Sequence, residues 1–244
     1  MDVRHREAIS TIERDGYRFR QYLGDLATAA DLFSSAHVGY GALRVFDDIV
    51  VDPGATASFQ AYDGVETVAY VLEGTCHITH AGDPPVELKR GTAARIVGGQ
   101  GTTYEGHNRG TGRLRIALAA FVAPRAHEQA PFAARSFDPE TTGLTWVATP
   151  SGTGHDPASL PLGAPVSFGI ATLESGERIR LQSALGTGLY LSVLDGSLSH
   201  DSGFLDEGAD AKISLEAHTV AIQGITRATV AVIEVRRGFV QEIF

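Results

Sequence analysis

Five consecutive residues, Tyr104-Glu105-Gly106-His107-Asn108, put a phenol, a carboxylate, an imidazole and an amide within one strand length. Histidine is the side chain whose ordinary pKa lies near neutrality, so His107 beside tyrosines is a candidate general base. The plainer reading is a solvated histidine at a strand end. A second group holds Gln60, Tyr62 and Glu66. Gln60 and Tyr62 are two apart, so a strand carries them on one face. Gln60, Tyr62 and Tyr104 form a neutral, partly aromatic set that suits hydrogen bonding to a small organic molecule in an apolar cavity. The same set suits side chains that merely fill an idle interior, and both readings stay open. His77 and His80 are three apart on a strand and point to opposite faces, so they cannot chelate together. Cys76 is the single cysteine, which excludes an internal disulfide and a thiolate metal cluster. It reads as a small core residue, with a redox-sensing thiol as the alternative. Nucleophile motifs, phosphate loops and dinucleotide fingerprints are absent from the sequence. Gly98-Gly99-Gln100-Gly101 follows a strand and opens no helix, so it reads as a turn.

The elements that position these residues are strands. The chain has 244 residues, 43% hydrophobic and 20% charged, enough for a large core or two of about 100 residues each. The 28 glycines are spread along it, as short strands and tight turns require. One block of strands is used twice. Tyr70-Val71-Leu72-Glu73-Gly74 matches Ser192-Val193-Leu194-Asp195-Gly196, and Gly54 and Gly176 each stand twenty residues before the closing glycine. Leu88–Ile96 then parallels Leu205–Ile213, and Arg115–Val122 parallels Val230–Val235. Two barrels of such strands would leave no exposed edge and could enclose a small ligand. Apolar spacing at Ala8 and Ile12, and at Leu26, Ala30 and Phe33, predicts short helices in the first 36 residues.

Three stretches carry a family likeness. They are 37–48 (His37-Val38-Gly39-Tyr40-Gly41 onward), Val51-Asp52-Pro53-Gly54, and Val65-Glu66-Thr67-Val68 running on to Gly74. With Gly98–Gly101 they resemble the pirins, strongly over residues 30–125 and by layout beyond. The resemblance implies an all-β bicupin, two jelly-roll (cupin) β-barrel domains with short helical segments. The expected division is an extension at 1–36 packed on the barrels, a first barrel at 37–122, a linker at 123–160 and a second barrel at 161–244. Pirins hold iron or a similar metal in the first barrel, and some cleave quercetin with dioxygen. Others are described as transcriptional cofactors or metabolic regulators. Where pirins carry His-Pro-His-Arg-Gly-Phe-Glu-Thr-Val, this chain has Gln60-Ala61-Tyr62-Asp63-Gly64-Val65-Glu66-Thr67-Val68. The family's later His and Glu ligands correspond to Tyr104 and Gly106. All four ligand positions, Gln60, Tyr62, Tyr104 and Gly106, have therefore lost the imidazoles and carboxylate that such a metal needs.

These residues set the functional expectation: a degenerate N-terminal site, no metal or other cofactor, and a small-molecule-binding or regulatory role. The pocket candidates are Gln60, Tyr62, Glu66, Tyr104, Glu105 and His107. Iron or another divalent metal enters only if the site survives in altered form. That would make a quercetinase-like dioxygenase, and a metal-independent cupin enzyme is the further alternative. The expected partner is a small organic molecule or a protein. The net charge of −9 disfavours direct nucleic-acid binding. The charged N-terminus and the lack of a long apolar run predict a cytoplasmic chain off the membrane, monomeric or weakly self-associating.

Overall fold

The computed structural model describes residues 1–23, 39–61, 64–80, 84–98, 102–123, 131–151, 156–183, 185–201, 203–213 and 219–236, without the side chains of residues 60, 80 and 102. The chain opens with strand β1 (Asp2–Arg4) and a 3-10 turn at Arg6–Ala8. A hairpin follows, β2 (Ser10–Arg14) and β3 (Tyr17–Leu23). Next come β4 (Leu43–Val51), β5 (Thr56–Ala61), β6 (Val65–Glu73), β7 (Thr75–His80) and β8 (Val86–Lys89). They are followed by β9 (Thr92–Val97), β10 (Thr102–Asn108), β11 (Leu114–Val122), β12 (Phe132–Ser136) and β13 (Gly143–Pro150). The remaining strands are β14 (Leu160–Leu162), β15 (Val166–Leu173), β16 (Arg178–Gln182), β17 (Thr187–Asp195) and β18 (Ser197–His200). β19 (Gly203–Asp206), β20 (Asp210–Ile213), β21 (Thr219–Gly224) and β22 (Ala228–Arg236) complete the order.

The strands form two large and two small sheets. The first half contributes β12-β9-β6-β11-β4-β3-β2 and β5-β10-β7-β8; the second contributes β1-β20-β17-β22-β15-β13-β14 and β16-β21-β18-β19. The strand orders match along the sequence repeat, with β6 answering to β17 and β11 to β22. The repeated glycines have a shared cause. Gly74 and Gly196 have φ of 79° and 73°, and a Cβ would stand 2.7 Å from the Arg113 carbonyl oxygen and 2.1 Å from that of Arg227. Only glycine fits there.

Each barrel has its own interior, and a third core lies in the seam where the two large sheets meet. Strand β11 shows how one sequence serves two cores. Leu114, Ile116, Leu118 and Ala120 face the first barrel, whereas Ala117, Ala119 and Phe121 face the seam. A strand covered on both sides reads as an unbroken apolar run.

Two expectations need correction or refinement. The N-terminal helices give way to strands. Ile12 lies in β2, and a two-residue Asp15-Gly16 turn joins Arg14 to Tyr17. Asp-Gly with Gly16 at φ 76° is strong hairpin chemistry, and it outweighs a weak helical spacing. Arg6–Ala8 is the one helical turn among the described residues; Leu26, Ala30 and Phe33 lie outside them. The segment 123–160 contains two sheet strands, β12 pairing with β9 and β13 with β15. The extension is split likewise, with β1 paired to β20 of the second barrel and β3 to β4 of the first. Among the described residues no helix is long and apolar enough to cross a membrane.

Candidate functional site

Strand β10 alternates strictly. Tyr104, Gly106 and Asn108 are buried, and Thr103 and Glu105 are exposed. Tyr104 is 2% exposed and belongs to the first barrel's interior core. Gly106 faces the same interior. A Cβ there would stand 2.9 Å from Phe59 Cε2 and 3.2 Å from Cys76 Sγ. The space that a side chain at 106 would need is thus filled by an aromatic ring and a thiol. Burial pushes the Cys76 thiol up to about 12, so it is neutral and unreactive.

Strand β5 faces β10 in the register Phe59↔Tyr104 and Gln60↔Thr103. The resemblance turns the even-numbered positions of this strand inward. Among the described residues, Ala57, Phe59 and Ala61 are in the interior core and Ser58 is exposed. The side chain of Gln60, and Tyr62 altogether, lie outside the described residues. The apolar cluster of this interior is built from aliphatic, aromatic and alanine side chains and includes Tyr104 and Cys76, with the buried Asp47, Thr67 and Asn108 on the same strand faces.

The structure separates His107 from Tyr104. His107 lies on the outer face of β10, with Nδ1 2.8 Å from Thr56 Oγ1 and Nε2 3.2 Å from Thr79 Oγ1. Glu105 Oε2 is 3.4 Å from its Nε2. Cross-strand pairing aligns Thr56, His107, His77 and Glu87 in one row over the outer sheet. His107 and Tyr104 therefore cannot act on one bound molecule as base and phenol.

Glu66 has moved furthest from expectation. It is fully buried and points into the seam, not the barrel interior. Its carboxylate accepts N–H bonds from Gly163 (3.0 Å) and Ala164 (2.8 Å) of the second half. Arg95 Nη1 stands 3.7 Å away and donates to the Pro161 carbonyl at 3.0 Å. Burial pushes the Glu66 carboxyl up, and the two N–H groups and Arg95 offset only part of that. Burial likewise lowers Arg95, with Glu66 acting against it.

Two further seam clusters were missed from sequence. Arg115 clamps Asp48 with bonds of 2.7 and 2.8 Å and reaches Asp195 of the second barrel at 2.8 Å. Burial works against the Arg115 charge, but Asp48 and Asp195 together hold its pKa above the ordinary value. Arg4 pairs with Asp210, which also accepts the Tyr190 hydroxyl at 2.6 Å. The signal was available: a charge set inside an apolar strand, as in Leu114-Arg115-Ile116, is buried and must find a partner.

This arrangement defines a bicupin of the pirin-like fold. The structure superimposes on the Escherichia coli pirin YhhW, solved with nickel(II), with a TM-score of 0.80 at 17% identity, covering 97% of this chain and 99% of that one. A quercetin 2,3-dioxygenase from Acinetobacter baumannii follows at TM-score 0.71 and 15% identity, covering 97% and 86%. A Zymomonas mobilis protein with a provisional quercetin 2,3-dioxygenase name is 24% identical over 194 residues, 80% of this chain and 82% of its own. No protein-family model matches the chain. At the two described positions, Tyr104 and Gly106, the residues do not fit the metal that the likeness implies. Tyr104 is a buried phenol packed in an apolar core, and position 106 has neither a donor nor room for one. Among the described residues no three His, Cys, Asp or Glu side chains gather as a metal cluster.

Proposed function

We propose that this chain is a metal-free pirin-like bicupin that works by binding, as a small-molecule-binding or regulatory protein whose partner is a small organic molecule or another protein. The observation that carries this reading is the filled space at Gly106, where Phe59 and Cys76 stand in place of a ligand side chain. Oxygen activation needs a redox metal or an organic cofactor. Tyr104 and Gly106 supply neither an imidazole nor a carboxylate to hold one, and Phe59 and Cys76 occupy the space beside Gly106. A second reading, a quercetin 2,3-dioxygenase-type enzyme, is favoured by the name of the Zymomonas relative. A metal-independent enzyme using His107 with Tyr104 is disfavoured, because the two side chains lie on opposite faces of β10.

The two readings separate in an oxygen electrode. The chain is incubated with iron(II), nickel(II) or copper(II), desalted, and given quercetin. Uptake no faster than a protein-free control carrying the same metal is expected. Uptake that saturates with quercetin and scales with protein would install the dioxygenase reading instead.

A further inference from the structure

We propose that the cleft between the N-terminal hairpin and the seam of the two barrels binds a small oxyanion, a carboxylate or phosphate on a compact body. This deepens the binding reading above and places the ligand outside the barrel interior.

The cleft encloses about 300 Å³, the lower end of the range for ligand pockets. Five arginines line it: Arg6, Arg18, Arg20, Arg113 and Arg115. Four carboxylates line it too, from Glu13, Asp48, Asp195 and Glu207. Their pairing is uneven. Arg115 is fully engaged by Asp48 and Asp195. Arg20 donates to Glu207 at 2.9 Å, and Arg113 to Glu73 outside the cleft at 2.6 Å. That consumes three of the four acids. Among the described residues, Arg6 and Arg18 have no ion pair or side-chain hydrogen bond. Arg20 Nη1 is buried with no hydrogen-bond partner, 3.7 Å from Asp48. One carboxylate, Glu13, is left against these donors. It stands opposite Arg18 in the hairpin register without pairing to it.

The chain as a whole carries −9, so this local excess of guanidinium is not a reflection of bulk charge. Guanidinium groups with unused N–H donors match the oxygens of carboxylate and phosphate in pairs. Val50 supplies an apolar patch for the body of the ligand, and Thr11 a hydroxyl. Because Asp195 and Glu207 belong to the second barrel, an occupant would bridge the two halves. Its binding would then bear on the seam itself.

Calorimetric titration tests this at low ionic strength, where exposed arginines are least screened. Inorganic phosphate, succinate and benzoate are titrated separately into the full chain and into the double variant Arg6→Ala/Arg18→Ala. At least one of the three should saturate with a Kd below about 1 mM, and the double variant should weaken it by about tenfold or more. Both arginines are exposed, so the variant's melting temperature without ligand should stay within about 1 °C of wild type. Preference for phosphate would mark a tetrahedral anion, and preference for benzoate a carboxylate on an apolar body. Absence of saturable binding by all three, or undiminished binding in a folded double variant, would overturn the proposal. That failure is separate from failure of the metal-free reading, which shows as oxygen uptake.

Discussion

The interior of the first barrel and the seam between the barrels are both buried, yet the Arg115–Asp48 and Arg95–Glu66 ion pairs lie in the seam. The apolar cluster of the first barrel is aliphatic and aromatic and includes Tyr104 and Cys76, with the buried Asp47, Thr67 and Asn108 on the same strand faces. The seam holds Asp48 with Arg115, Asp210 with Arg4 and Tyr190, and Glu66 with Arg95, all in or beside an apolar core. A closed interior need only be filled. A seam must also fix how two similar barrels sit on one another. Directional bonds such as the Arg115–Asp48 clamp do that, while apolar packing alone tolerates sliding. The buried arginine–carboxylate pairs Arg115–Asp48 and Arg95–Glu66 thus stand where the halves join.

The contrast can be broken most sharply at Asp48. Replacing it with Ala removes the bidentate partner of the buried Arg115 guanidinium and leaves it Asp195 and the Leu194 carbonyl, so Asp48→Ala should cost about 3–4 kcal/mol by urea denaturation. A cost under about 1 kcal/mol would show that the seam is hydrated and its charges weak. Glu66→Ala comes next. It leaves the Gly163 and Ala164 N–H groups and Arg95 without their acceptor, at about 2–4 kcal/mol.

Glu66 also gives the seam a pH signature. Its folded pKa lies above the unfolded value, so the folded chain holds that proton more tightly. Its contribution is present below the ordinary carboxyl range and is lost as pH rises through the folded value. Glu66→Gln should remove that falling component from a stability-versus-pH profile; an unchanged slope would assign it to another group.

The interior answers to smaller perturbations. Gly106→Ala presses a methyl against Phe59 and Cys76 and should cost about 1–2 kcal/mol by overpacking. Adding Phe59→Ala should cancel part of that cost in a double-mutant cycle. Strict additivity would mean the two positions do not touch. The smallest effect is chemical. With its thiol pushed up to about 12 by burial, Cys76 should not react with a disulfide reagent at pH 8 in the folded chain, and should react fully in denaturant. Rapid reaction of the native protein would reveal an interior open to solvent.

The fold was legible because it is written twice. Gly74 and Gly196 sit at matching closures with matching clashes, and the repeat around them located both barrels. Asp15-Gly16 is itself a hairpin signal, whereas the apolar spacing at Ala8 and Ile12 points to a helix. The site was harder. Family likeness identified Tyr104 and Gly106 as inward positions, and both face the interior. It could not reveal that Phe59 and Cys76 fill the space beside them, since packing between β5, β7 and β10 depends on register. Glu66 was singled out, but its partners lie about 97 residues on, at Gly163 and Ala164. Contacts across the seam join segments that no local pattern connects.

The most direct test is the melting temperature of chelator-stripped protein titrated with nickel(II) or iron(II). A ligand bound to the folded chain alone stabilises it in proportion to the logarithm of its concentration over Kd. With the first barrel packed by Phe59, Cys76 and Tyr104, the melting temperature should stay within about 1 °C at all metal concentrations. A saturable rise of about 5 °C or more, reversed by chelator, would show a working metal site in this fold and would contradict the metal-free reading.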